Sequence, residues 1–277
     1  MKILVVVQAR CSSTRLPGKV LLEAAGKPLL IHQLERMSRA SIPWKTIVAT
    51  TTDSSDDSIV TLCEAYNYEV FRGHPTDLLD RHYHAALAFG ADVIVKIPSD
   101  CPLIDPEIID TVLQFYLAHP NAYDYVSNLH PATFPDGNDV EVVPLEVLHA
   151  AWFHADKPFE REHTTPYIWD NPSKFYIGNV TCAGRKNYSM THRWTLDYPE
   201  DYDFIRTVYE HLYPSNPEFT MQDILLLLSE HPDIAAINAH LAGVNWYRHH
   251  LRELRTISPR ATKKINDVEV HAPQEQQ

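Results

Sequence analysis

Between Ile3 and Leu113, short runs of β-branched residues alternate with stretches of helical periodicity, a pattern that leaves little room for anything but a mostly parallel sheet flanked by helices. Ile3–Val7 has the unbroken apolar character of a strand buried on both faces, and Thr46–Thr50 and Val93–Ile97 read as the next two strands. Pro28 opens a helix in which Leu30, Leu34 and Met37 share one side, and Pro43 stops it. The carboxylate-rich turn Asp53–Asp57 leads into a helix with Ile59, Leu62, Cys63 and Tyr66 turned inward, acids being favoured at a helix N-terminus. Asp105 is an N-cap followed by Pro106 at the first helical position, with Ile108, Ile109, Val112 and Leu113 as the buried stripe. Beyond residue 120 the pattern is less regular. Strands are expected at Tyr123–Ser127, Val140–Val143 and Phe175–Val180, and helices at Leu145–Ala155, Asp201–Leu212, Met221–Glu230 and Asp233–Arg255. The polar stretch 257–277 is expected to be a flexible tail behind a single domain, 1–256.

Bulk properties narrow the chemistry. A net charge of −12 disfavours DNA or RNA as a partner, because nucleic-acid affinity comes largely from neutralising phosphates. No apolar run approaches the roughly 18 residues of a membrane helix, so a cytoplasmic, membrane-free protein is expected. Four separated cysteines form no CxxC pair, which fits reduced thiols. Histidine is abundant, but His82 and His84 fall on different helix faces and make no zinc motif.

Within this acidic chain, cations cluster in one place. Gln8-Ala9-Arg10-Cys11-Ser12-Ser13-Thr14-Arg15-Leu16-Pro17-Gly18-Lys19 follows the first strand, at the sheet edge where open α/β folds bind ligands. Small residues at 11 to 14 let backbone N–H groups approach a phosphate, and Arg15 and Lys19 add positive charge. Neither GxxxxGK[ST] nor GxGxxG is present, so this is not a Walker or dinucleotide loop. A polar surface loop is the alternative.

QARCSSTRLPGKVL resembles the nucleotide-binding signature of the sugar cytidylyltransferases, the CMP-KDO and CMP-sialic acid synthetase group, and most of all its spore coat polysaccharide biosynthesis protein F branch. VATTTD, FRGHPTDLLDRHYHA, IPSDCPLIDP, YVSN, PDGNDVEV, EREHTTPYI and RWTLDYPED follow in the order expected there, so the resemblance spans about residues 1–255. It implies a nucleotide-diphospho-sugar transferase (Rossmann-like) fold, with CTP over residues 1–120 and a sugar-like acceptor, often a homodimer contact too, over 121–256. The implied reaction is attack of an acceptor oxygen on the α-phosphorus of CTP, releasing pyrophosphate.

Carried onto this chain, the resemblance places Arg15 and Lys19 on the triphosphate and Mg²⁺ on Asp100 and Asp197. Gln8, Ala9, Arg10, Ser12, Ser13, Thr14, Thr52, Asp53, Thr76, Asp77 and Arg81 would surround the nucleotide; Thr76 and Asp77 could equally be helix caps, and Arg81 could pair with Asp77 at i,i+4. The acceptor would meet Asp139, Glu141, Arg161, His163 and Tyr167, with Arg161, Arg185 or Arg193 as the cation for an acidic sugar. Trp152, Phe153 and Trp169 would suit a dimer contact or the core. One departure is Pro98-Ser99 where relatives carry Thr-Gly, which removes a backbone N–H beside Asp100. A glycosyltransferase, for which Asp201-Tyr202-Asp203 superficially supplies a DxD although both aspartates lie in one predicted helix and would point to different faces, and a non-catalytic nucleotide-binding protein are the competing expectations.

Overall fold

A computed structural model describes residues 1–265. The elements run β1 (Ile3–Gln8), a small hairpin of β2 (Glu23–Ala24) and β3 (Lys27–Pro28), α1 (Leu29–Met37), β4 (Lys45–Thr51), α2 (Asp57–Ala65), β5 (Glu69–Gly73), α3 (Leu78–Phe89), β6 (Val93–Pro98) and α4 (Pro106–Ala118). The second half adds β7 (Tyr125–Ser127), β8 (Glu141–Pro144), α5 (Leu145–His154), α6 (Pro158–His163), α7 (Pro166–Trp169), β9 (Ile177–Asn179), α8 (Pro199–Leu212), α9 (Met221–Glu230), α10 (Pro232–Ala236) and α11 (Tyr247–His250).

The main sheet has the order β5-β4-β1-β6-β8-β7-β9. Its first four strands are parallel, β8 runs antiparallel to β6 and β7, and β9 is parallel to β7. Both faces are covered, which is why β1, β4 and β6 have largely apolar centres: Val5, Val7, Val48 and Val95 pack toward α1, α2 and α4, while Leu4, Val6, Ile47 and Ile94 pack toward α3, α5 and α7. A third apolar cluster joins Trp194 and Leu196 to Phe204, Val208 and Tyr209 of α8 and to Ile224 of α9, tying the C-terminal helices to the sheet edge.

The chain leaves β1 toward β4 and β5, then crosses back to β6 on the other side of β1. That reversal opens a crevice beyond the carboxyl ends of β1 and β6, where Gln8 and Pro98 are register partners. Pro98 has no N–H to offer, and the next amide, that of Ser99, is spent on the Gln8 carbonyl at 3.3 Å.

Several expected elements shift. Strand β5 carries no legible signal, being half-exposed at the sheet edge without a continuous apolar run, whereas α3 is the helix implied by the possible caps at Thr76 and Asp77 and by His82 and His84. The strand expected at Phe175–Val180 shortens to β9, and the helix expected over Asp233–Arg255 breaks into α10 and α11, with Gly243 at φ +79 between them. Residues 257–265 are not a loose tail: the Lys263 amide donates to the Gly243 carbonyl at 2.7 Å, and Asn245 reaches the Ala261 carbonyl at 2.9 Å. The rest of the expected tail, 266–277, lies outside the described residues. Trp169 is core, Trp152 is half-buried with its indole N–H on Asp80 at 2.8 Å, and Phe153 is exposed. Among the described residues no helix is long and apolar enough to cross a membrane.

Candidate active site

The loop after β1 is pinned from below. Buried Asp56 accepts the Cys11 amide at 2.7 Å and the Thr51 amide at 3.4 Å, so the loop begins at a fixed height above the sheet edge. The loop then closes on itself through the amides of Ser13 and Gly18, both at 2.9 Å from the Cys11 carbonyl. Gly18 takes φ +67 and turns Lys19 back under the loop. Among the described residues the amides of Ser12, Thr14 and Arg15 have no protein acceptor, which leaves them available to an anion.

Opposite the loop stand two carboxylates. The Leu196 amide donates to the Asp100 carbonyl at 2.8 Å, and this bond sets Asp197 beside Asp100 although 97 residues separate them in sequence. Lys19 Nζ lies 2.9 Å from Asp197 Oδ1 and 3.6 Å from Asp100 Oδ2, and Arg15 Nη2 lies 2.7 Å from the same Asp197 oxygen. Burial alone would favour neutral Asp197, but Lys19, Arg15 and Arg193 outweigh it and hold the carboxyl far below its ordinary range. Burial likewise opposes the Lys19 ammonium, while Asp197 and Asp100 raise its pKa above the usual lysine value.

Asp197 is held in place by the start of α8. Asp201 accepts the amides of Asp197 and Tyr198, each at 3.0 Å, and forms a two-pronged pair with buried Arg193 at 2.8 and 2.9 Å. Asp201 is fully buried and Asp203 sits exposed beside Arg206, so Asp201-Tyr202-Asp203 cannot present two carboxylates to one metal. That removes the DxD on which the glycosyltransferase expectation leaned.

A cavity of about 760 Å³ opens from Gln8, Arg15, Asp100 and Asp197 into the second half of the chain. Its floor carries Asp136, Asp139 and a buried Lys96–Glu141 pair; Glu141 also accepts from Tyr125 at 2.7 Å and from Thr165. Burial pushes the Asp136 carboxyl up to about 7 against the pull of Arg193, and raises Asp139 well above the usual range with help from Asp136 and Asp100. His163 stacks on Trp246 at 3.8 Å, and burial drops its pKa to about 3, so it is neutral. The far wall is the segment between Val244 and Ala261, docked where Asp170 accepts the Arg255 and Thr256 amides at 2.8 to 3.0 Å.

Of the residues singled out from sequence, Gln8, Arg15, Asp100, Asp139, Glu141, His163 and Asp197 line this cavity. Ala9 is buried at the strand end, Lys19 lies just beneath the two carboxylates, and Arg10, Ser12, Ser13 and Thr14 belong to the loop above. Thr52, Asp53 and Thr76 sit exposed beyond β4 and β5 on the same sheet edge. Arg81 does not pair with Asp77: it is buried, donates to the carbonyls of His74 and Pro75 at 2.6 to 3.0 Å, and burial lowers its pKa to about 10. Asp77 caps α3 through the Asp80 amide and meets Arg161 at 2.5 Å instead. Arg161 also bonds the Trp152 and Ala155 carbonyls, so it does not line the cavity; neither does Tyr167, whose hydroxyl faces Lys174, nor exposed Arg185. Arg193 lines it but is consumed by Asp201. Lys96 escaped sequence reasoning, although a lysine inside the apolar run Val-Ile-Val-Lys-Ile signals a buried charge partner. Trp246, Tyr247 and the rest of the far wall carry no sequence signal that marks them.

Asp100 and Asp197 suit a divalent cation. They are hard oxygen donors, both face the cavity, and a positive charge already sits between them in the form of Lys19. No group of three or more histidine, cysteine or carboxylate ligands occurs among the described residues.

Residues 4–223 match the cytidylyltransferase family. The chain is 35% identical over 244 residues to an uncharacterised protein of Methanocaldococcus jannaschii, covering 87% of this chain and 96% of that one. It is 30% identical over 238 residues to the spore coat polysaccharide biosynthesis protein SpsF of Bacillus subtilis, covering 84% and 96%. Among solved structures, a cytidylyltransferase from Leptospira borgpetersenii shares the fold with a TM-score of 0.80 at 31% identity, over 85% of this chain and 97% of that one. The family span takes in the loop, both carboxylates and the cavity floor, and stops before the far wall. This chain belongs to the cytidylyltransferase family and is a nucleotidyltransferase.

Proposed function

We propose that the chain transfers CMP from CTP to a sugar-like acceptor, releases pyrophosphate, and depends on Mg²⁺ held by Asp100 and Asp197. The observation that carries this reading is the convergence of Arg15 and Lys19 on Asp197 at the mouth of a cavity large enough for a sugar. The loop amides and the two cations would hold the β- and γ-phosphates, so the group they stabilise is the one that departs. Asp100 and Asp197 would hold the metal, which would supply charge neutralisation at the α-phosphate. The acceptor hydroxyl, seated over Asp136 and Asp139, would present its oxygen to the α-phosphorus; its proton passes to water as that P–O bond forms, the α–β bridge breaks, and the electron pair leaves with pyrophosphate. Similarity to a spore coat polysaccharide biosynthesis protein supports a place in glycan precursor synthesis.

A thermal-shift titration with CTP, UTP, ATP and GTP, each with and without Mg²⁺, tests the nucleotide half. At about 100 times Kd, binding adds roughly 2.7 kcal/mol. A shift confined to CTP with Mg²⁺, followed by acceptor-dependent pyrophosphate release, is the expected result. A shift with CDP- or UDP-sugars alone would favour a glycosyltransferase, and CTP binding with no pyrophosphate from any acceptor would favour a binding protein. Lys19→Met should lower turnover roughly 10²–10³-fold, the usual loss on removing one transition-state donor.

A further inference from the structure

The pair of carboxylates that suits a metal already has a cation between its members. Lys19 Nζ lies within ion-pair distance of both Asp100 and Asp197 and donates to the Leu196 carbonyl at 2.6 Å, so its position is fixed from three sides. Its side chain is only 12% exposed, beneath a loop that Gly18 folds back over it. Arg15 shares the same Asp197 oxygen at 2.7 Å. A divalent ion bound to that oxygen would stand against an ammonium and a guanidinium within a few ångström. At an effective dielectric of about 20, such repulsion opposes metal binding, and the Arg15 charge that stays on Asp197 limits what removing Lys19 alone recovers.

We infer that Lys19 is a resident counter-cation which keeps the Asp100–Asp197 pair closed to free metal until a triphosphate draws it away. The exchange is of like for like: Lys19 and Arg15 leave a carboxylate for phosphate oxygens, and the vacated carboxylates then face the cation that the triphosphate itself favours. Metal and nucleotide therefore load together, and the empty enzyme keeps a matched charge balance in a partly buried site. This rests on the proposed placement of the divalent cation on Asp100 and Asp197. Linkage makes the coupling reciprocal, so CTP must tighten metal binding by the factor by which metal tightens CTP.

Mn²⁺ binding followed by electron paramagnetic resonance, with no nucleotide present, reads this out without catalysis. The wild-type chain should bind Mn²⁺ weakly, Lys19→Met roughly 10- to 100-fold more tightly, and Lys19→Arg as weakly as wild type. Should Lys19→Met fold poorly by circular dichroism, Lys19→Gln replaces it, and the gain is expected there. In Lys19→Met with Asp197→Asn the gain should vanish. An unchanged Mn²⁺ affinity in the neutral variants overturns the inference, as does a gain that survives Asp197→Asn. The function is tested separately: a chain that shows the Mn²⁺ gain but consumes no CTP would sink the transferase reading and leave the counter-cation standing.

Discussion

Replacing Glu141 with Gln isolates the buried pair under the cavity. Lys96 and Glu141 are register partners on β6 and β8, with side chains 8% and 3% exposed, and Tyr125 and Thr165 satisfy the other Glu141 oxygen. Burial opposes charge on both. Glu141 nevertheless holds the Lys96 pKa up, and Lys96, Thr165 and Tyr125 hold that of Glu141 down. The depressed carboxyl contributes stability above about pH 4.3, lost as pH falls through its folded pKa; the raised ammonium contributes below about pH 10.4, lost as pH rises through its folded value. Between those limits the pair's contribution is flat.

In Glu141→Gln the ammonium stays buried without its partner, a loss of about 3–5 kcal/mol and on the order of 10 °C in melting temperature at pH 7. Lys96 then titrates below its unfolded value, because burial is no longer outweighed. Part of the lost stability should therefore return between about pH 7 and pH 10, where wild type gains none. Adding Lys96→Met removes the stranded charge while the Gln oxygen still accepts from Tyr125 and Thr165, and should recover more than half of the loss. Urea unfolding at several pH values measures all three chains. A loss below about 1 kcal/mol, or wild-type and variant curves that run parallel with pH, would refute the reasoning.

Three further outcomes follow from neighbouring geometry. Gly137 has φ +101, and a Cβ there would stand 2.7 Å from the Thr195 amide nitrogen, so Gly137→Ala should displace the segment carrying Asp197; CTP turnover is expected to fall at least tenfold along with the melting temperature. Asp56→Ala frees the Cys11 amide and the start of the phosphate loop, which should cost about 1–3 kcal/mol and raise the KM for CTP; an unchanged KM would contradict the pinning role. Arg161→Ala should lower stability through Asp77 and the Trp152 and Ala155 carbonyls yet leave the acceptor KM alone, and a rise in that KM with stability unchanged would return Arg161 to the acceptor site.

Local patterns carry much of this protein. Apolar runs at β1, β4 and β6, the Asp105-Pro106 helix start and the small-residue loop ending in Gly18-Lys19 are all set by short-range chemistry, and they suffice for a parallel sheet with an anion-binding edge. Partner choice among charged residues is another matter. Sequence spacing suggested Asp77 with Arg81, but Arg81 turns to backbone carbonyls and Arg161, 84 positions from Asp77, arrives through the packing of α6 on α3. The same holds for Lys96 with Glu141 and for the wall at 244–261, where Asp170 captures a stretch of chain with no motif of its own. Sequence alone determined the fold class and set a small-residue loop with Arg15 and Lys19 at the sheet edge, because backbone propensity and hydrophobic period act over neighbouring residues. Only the tertiary structure decided which cation meets which carboxylate, because an ion pair depends on where burial places its members in space.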